Sequence, residues 1–188
     1  GWSRKMYFDE TGLPWVPSSP QVPHGDTPLF YPATGIAGEL YAASIGVGYT
    51  LPFQTFAAPW INADSLAHSL NSLKLPGVIF RPIHYKPYFS THEGKMVHGV
   101  QIHLTDPSVA PLTLIQFYIM QEAHRLWPEK NLFTLCEQSR LSMFDKVCGT
   151  DEVRKAFTKS FLVSDIMPLW TDDIPAFRAR ASKYFLYD

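Results

Sequence analysis

Glu39 is the only carboxylate between Asp26 and Asp64, and small or apolar residues surround it in GELYAASIGVGYTLPFQTFAAPW, residues 38 to 60. A carboxylate among such neighbours is expected to be partly buried, with a raised pKa that suits acid catalysis. The competing assignment is a local hydrogen bond from Glu39 to loop backbone. Ser44, Gly46, Gly48, Tyr49 and Thr50 follow in an almost charge-free run. Glycines there would let a ligand come close to the backbone, while Tyr41, Tyr49, Phe53, Phe56 and Trp60 offer flat faces. Apolar walls with a few polar groups describe a small-molecule cleft, and exposed rings suit the faces of sugars. The same rings, taken one by one, fit a hydrophobic core.

Further along, Gln101 and His103 fall on one face of an alternating segment, where they could hydrogen-bond a ligand or be merely solvated. His98 falls on the opposite, buried face. His84, His92, His98 and His103 lack the spacing of a metal site, so no metal is expected. The G-V-G-Y-T run has neither the lysine of a phosphate loop nor the third glycine of a dinucleotide fingerprint. No serine stands in a G-x-S-x-G setting. A second carboxylate to pair with Glu39 for glycoside hydrolysis cannot be identified, since Asp106, the next best placed, reads as a strand-end turn or helix cap. Glu39 is thus the one catalytic candidate, and no cofactor is called for.

The elements that must position these residues follow from spacing. Six prolines between residues 14 and 32 predict an extended segment laid over the surface, interrupted by Trp15 and Val16. Asp26-Thr27-Pro28 starts a helix of about two turns that should end near Gly35. Leu66, Leu70 and Leu73 mark a helix from Asn62 to Pro76-Gly77. VIFRPIHYKPYF reads as a strand whose Pro82 and Pro87 imply an edge position or a bulge. MVHGVQIHLTD, residues 96 to 106, alternates as a strand with Val100, Ile102 and Leu104 on one side. Helices are expected from the stripe Leu112, Ile115, Ile119, Ala123 and Leu126, then over about 133 to 147 and 150 to 159. A last one starts at Asp172-Asp173 and buries Ile174, Phe177, Ala181 and Tyr184. Strands in the middle with helices on either side imply an α+β fold, a small mixed or antiparallel sheet packed with several helices, in a single domain over 1–188.

Composition sets the limits on function. Of 188 residues, 46% are hydrophobic and 18% charged, enough apolar surface for a core. Sixteen basic against seventeen acidic residues, scattered along the chain, provide no basic patch for nucleic acid. No apolar run reaches the roughly 20 residues of a membrane span. Residue 1 is glycine, so a processed or excised part of a longer protein is expected. Cys136 and Cys148 are too few for a disulfide framework; they read as buried free thiols, with a pair as the alternative.

Several of these stretches, in order, resemble one family. They are WVPSSPQVP at 15 to 23, LFYPATGIAGEL at 29 to 40, ASIGVGYTLPF at 43 to 53, APWINAD at 58 to 64, LPGVIFRPIHYKPYF at 75 to 89, HGVQIHLTD at 98 to 106, GTDEVR at 149 to 154 and FRARASKYFLY at 177 to 187. Their order and spacing are similar to the C-terminal part of exo-β-N-acetylmuramidases of the NamZ type, bacterial proteins first grouped as a domain of unknown function. The resemblance implies an auxiliary domain that closes a substrate cleft, with the principal catalytic glutamate on an upstream Rossmann-like domain that this chain lacks. It implies a terminal N-acetylmuramic acid of a muropeptide or other cell-wall sugar as ligand, and a periplasmic or otherwise extracytoplasmic location. This chain alone is then expected to be inactive. Glu39, Ser44, Gly46, Gly48, Thr50, Pro52, Phe53, Gln101 and Asp106 match the family pattern. Val47 stands where many members carry arginine, a natural partner for the lactyl carboxylate. Ile45 replaces a glutamate, Gln21 an asparagine and Val97 a frequent cysteine. From the residues alone, a non-catalytic carbohydrate- or peptidoglycan-binding module and a structural interaction domain stand as alternatives.

Overall fold

A computed structural model describes residues 1–187. A turn of 3-10 helix at Phe8–Thr11 stops at Gly12, whose φ of 70° is left-handed. No helix or strand follows until residue 27. Trp15 anchors this stretch, packing edge-on against Phe8 and donating its indole N–H to the Val22 carbonyl at 3.2 Å.

Helix α1 spans Thr27–Gly38 and runs a turn beyond the expected stop at Gly35, with Pro32 inside it. Pro32 has no N–H to give the Pro28 carbonyl, and the turn that follows it is clamped from outside. The buried side chain of Gln116 donates to the Pro32 carbonyl at 2.7 Å and accepts from the Ala37 amide at 2.9 Å. Strand β1 (Thr55–Ala58) and helix α2 (Ala63–Ser72) follow. Asn62 caps α2 as its position before the leucine repeat predicts, accepting from the Ser65 amide.

Strands β2 (Val78–Tyr85) and β3 (Val97–Leu104) complete an antiparallel sheet of order β1-β3-β2. The prolines do put β2 at an edge. On its outer side the Asn71 amide bonds both the Phe80 N–H and C=O, at 3.0 and 2.8 Å. By alternation Pro82 lacks its N–H on that same outer side, so no ladder bond is lost.

One sheet face carries Phe56, Val78, Phe80, Val100 and Ile102 into the main core with α1, α2 and α3 (Leu112–Leu126). The opposite face is not simply solvated. Ala57, Ile83, Tyr85 and Val97 form a second small core there, and Tyr49 and Leu51 pack over it. His98, expected to be buried, is only half-buried, because its row ends at His84, whose Nδ1 lies 2.7 Å from the His98 Nδ1.

The stretch expected as one helix over 133 to 147 is two, α4 (Leu132–Leu135) and α5 (Gln138–Cys148), because Cys136 and Glu137 are extended. Then come α6 (Glu152–Ser160), α7 (Met167–Thr171) and α8 (Ile174–Ala181). Helix α8 starts where predicted but buries nothing: Ile174, Phe177 and Tyr184 are exposed. Every residue from 171 to 180 is exposed, and Tyr184 stands in the 3-10 turn after the helix, so the expected buried face does not exist among the described residues. Cys136 and Cys148 are free and half-buried. No helix among the described residues is long and apolar enough to cross a membrane.

Candidate functional site

Glu39 caps the C-terminus of α1, its own amide bonded back to the Ile36 and Ala37 carbonyls. The side chain is half-buried and lines a cavity of about 180 Å³. Among the described residues its carboxylate has no ion-pair partner. Three segments enclose the cavity: α1 through Tyr31, the loop over 41–53 through Tyr41, Val47 and Phe53, and the β2–β3 connection through Ser90 and Thr91.

Those segments are locked to one another. Thr34 of α1 donates to the Phe53 carbonyl at 2.9 Å, and Tyr31 packs edge-on against the Phe53 ring. The Tyr88 amide donates to the Gly48 carbonyl at 2.9 Å, and His92 Nε2 lies 3.2 Å from the Ala42 carbonyl. Burial depresses the His92 pKa, outweighing that carbonyl contact, so the ring is held neutral. Tyr41 takes a positive φ of 54° and stands open, with the Arg140 guanidinium 3.8 Å above its ring.

The five rings thus do not form one wall. Phe53 and Phe56 are core, Trp60 packs on Trp127, and Tyr49 stacks on Tyr85 with centroids 4.3 Å apart. Tyr41 alone is exposed, with Arg140 over one face of its ring. The two glycines also serve the fold in a way composition did not show. A Cβ on Gly46 would sit 2.0 Å from the Leu51 carbonyl oxygen, and one on Gly48 2.0 Å from that of Phe89. Their close approach is to this chain's own backbone.

Ser44 is 1% exposed and bridges to Ala57 of β1 through both backbone groups. Its hydroxyl accepts from the Tyr85 phenol at 2.9 Å, and the same phenol lies 2.8 Å from the Thr55 hydroxyl. Burial raises the Tyr85 pKa despite these bonds, so the phenol stays protonated. Thr50 is exposed at the loop tip.

Gln101 and His103 lie outside the cavity lining, on the sheet face that carries the second core. Gln101 is buried and accepts from the Arg81 guanidinium at 2.6 Å. His103 Nε2 is buried without a hydrogen-bond partner, and burial, then the charge of Arg81, lowers its pKa. The sequence placed Gln101 and His103 on one face correctly but not Arg81 beside them. Tyr31, Ser90, Thr91, His92 and Arg140 were also missed. Ser90 and His92 have positive φ, a conformation their residue types do not announce. No group of three or more His, Cys, Asp or Glu among the described residues could hold a metal ion.

The chain spans about half the length of the relatives it matches. A crystal structure of a DUF1343 family protein from Bacteroides fragilis superposes with a TM-score of 0.97 at 48% identity, over 100% of this chain and 49% of that one. Peptidoglycan β-N-acetylmuramidase NamZ of Bacillus subtilis is 36% identical over 186 residues, 99% of this chain and 44% of that protein. The family model for the C-terminal part of exo-β-N-acetylmuramidase NamZ matches residues 29–187. On that match the chain belongs to the NamZ C-terminal domain family.

Proposed function

We propose that this chain is the C-terminal half of an exo-β-N-acetylmuramidase-like glycoside hydrolase that acts on peptidoglycan fragments outside the cytoplasm. In this reading it supplies one wall of the substrate cleft, and an upstream domain of the same protein supplies the principal catalytic glutamate. The observation that carries the reading is the Glu39 carboxylate, without an ion-pair partner in a cavity beside the rings of Tyr31, Tyr41 and Phe53. A carboxylate accepts hydrogen bonds from sugar hydroxyls or an N-acetyl N–H, and aromatic faces cover the apolar face of a pyranose.

The cavity size favours a partial site. About 180 Å³ lies below the roughly 300 Å³ at which self-contained ligand pockets begin, so a second surface is needed to enclose a sugar. Glu39 touches the ligand, Ser44, Gly46, Gly48 and Tyr49 hold the loop that shapes the wall, and Thr50 lies at its open tip. Buried Gln101 holds the exposed Arg81 beside His103, and through Arg81 this cluster would meet the remainder of the substrate. Val47 in the lining makes this wall apolar at a position where a cation would recognise a carboxylate, so Glu39 is the one charged group the cavity offers a ligand.

Release of chromophore from a chromogenic N-acetylmuramide tests the reading. The isolated chain should show no turnover, and the full-length protein should. In the full-length protein Glu39→Gln should lower kcat/KM roughly ten- to a hundredfold, the worth of a hydrogen bond to a charged group. Unchanged kinetics would remove Glu39 from the cleft. Saturable muropeptide binding by full-length protein that never turns over would favour a carbohydrate-binding module instead.

A further inference from the structure

Both ends of the chain expose large apolar side chains. Helix α8 exposes Phe177 at 61%, α7 exposes Leu169 at 50%, and Leu186 beyond them is 92% exposed. At the other terminus Trp2 is 60% exposed. The ends meet: the Arg4 guanidinium packs 3.1 Å from the Phe185 ring centroid, and Tyr187 shares a cleft with Trp2 and Tyr7. Beside them opens an apolar trough of about 760 Å³, walled by Met6, Phe8, Leu13, Trp15 and Leu29.

Single exposed apolar side chains are ordinary, but contiguous patches mark interaction surfaces. Helix α8 adds a second argument. It has eight residues and buries none of them, and a helix that short draws its stability from packing. None of the described residues buries it.

We infer that this face docks the N-terminal half that the longer relatives carry, an inference resting on the two-domain reading above. The match is to a C-terminal family model and covers less than half of the curated relative, so about as much polypeptide again precedes the matched part there. Trp2 lies within the patch, so a preceding domain would be tethered directly at it, and tethering makes docking effectively intramolecular. A second copy of the chain has no such advantage. Docking here would also fix the cleft. Leu29 lines the trough near the start of α1 and Glu39 caps its end, so the rigid helix holds the two about 15 Å apart along its axis.

Hydroxyl-radical footprinting of the isolated chain and of the full-length gene product tests this. Oxidation of Trp2, Phe177, Tyr184 and Leu186 should fall several-fold in the full-length protein. The double variant Leu169→Asp with Phe177→Asp should restore labelling of Trp2, Tyr184 and Leu186 there and lower its melting temperature, while leaving that of the isolated chain unchanged. Equal labelling in both proteins overturns the inference, as does protection of the isolated chain that grows with concentration, or a gene product with no N-terminal half. N-acetylmuramide turnover on the same samples separates the two claims. Protection without turnover defeats only the enzymatic reading, and turnover without protection defeats only the docking surface.

Discussion

Gln116 and Pro32 face each other across helices α1 and α3, the glutamine amide donating to the proline carbonyl at 2.7 Å. The same side chain accepts from the Ala37 amide, so one buried residue clamps the turn after the proline in the helix that carries Glu39. Replacing it by leucine strands a carbonyl and an amide in the core.

Gln116→Leu should therefore destabilise the chain by about 1–3 kcal/mol. At this length that is roughly 2–4 °C of melting temperature per kcal/mol. Urea denaturation measures it, and a loss under a few tenths of a kcal/mol would mean that water reaches the stranded groups.

Gly46→Ala and Gly48→Ala should each cost well above the about 1–2 kcal/mol of left-handed strain, because the added Cβ meets a backbone carbonyl at 2.0 Å. Gly12 and Gly94 are controls, since both have φ of 70° and open space around them. Alanine there should cost the strain alone. Equal losses at all four positions would show that the loop relaxes to admit the methyl groups.

Glu122 ties α3 to α2 through Ser69, with Arg125 bonding both. Burial raises its pKa, but hydrogen bonds from Ser69, Gln121 and Arg125 outweigh that and hold it below the ordinary 4.5. A depressed folded pKa gives stability that is complete above the unfolded value and is lost as pH falls through the folded one. Stability measured against pH should thus decline on the acid side for the natural chain and decline less for Glu122→Gln. Parallel acid limbs would rule this group out as a source of acid lability.

Cys148 is pushed up to about 12, by burial and then by the charge of Asp145. Only the thiolate is nucleophilic. Iodoacetamide at mildly alkaline pH should modify Cys148 in the folded chain at least about a hundredfold more slowly than in urea-unfolded chain, a conservative figure for a shift of this size. Peptide mapping separates it from Cys136, whose thiol burial also raises.

Most of the chain order of helices and strands was legible because it depends on neighbours along the sequence, but strand β1 (Thr55–Ala58) and helix α7 (Met167–Thr171) went unread. Asn62 ahead of the leucine repeat, the alternation through Val100 and Ile102, and prolines at an edge strand all state local rules. Helix α1 outran its expected stop at Gly35, and the side chain that accepts from its last turn, Gln116 at the Ala37 amide, lies 79 positions away. The candidate site divides the same way. Glu39 stood out as an isolated carboxylate, and the family motifs located the loop around it.

By itself the sequence determined the family and the α+β class and singled out one segment as the candidate site, since residue type and spacing carry all three. Only the tertiary structure decided what that segment does with its residues. It gave Gly46 and Gly48 to backbone crossings, Ser44 to a buried hydroxyl cluster with Tyr85, and Phe53 to the core. It brought Tyr31, Ser90 and Thr91 beside Glu39 and left α8 with its apolar side uncovered. Which atoms share a cavity depends on how distant segments pack, and one-dimensional spacing holds no record of that.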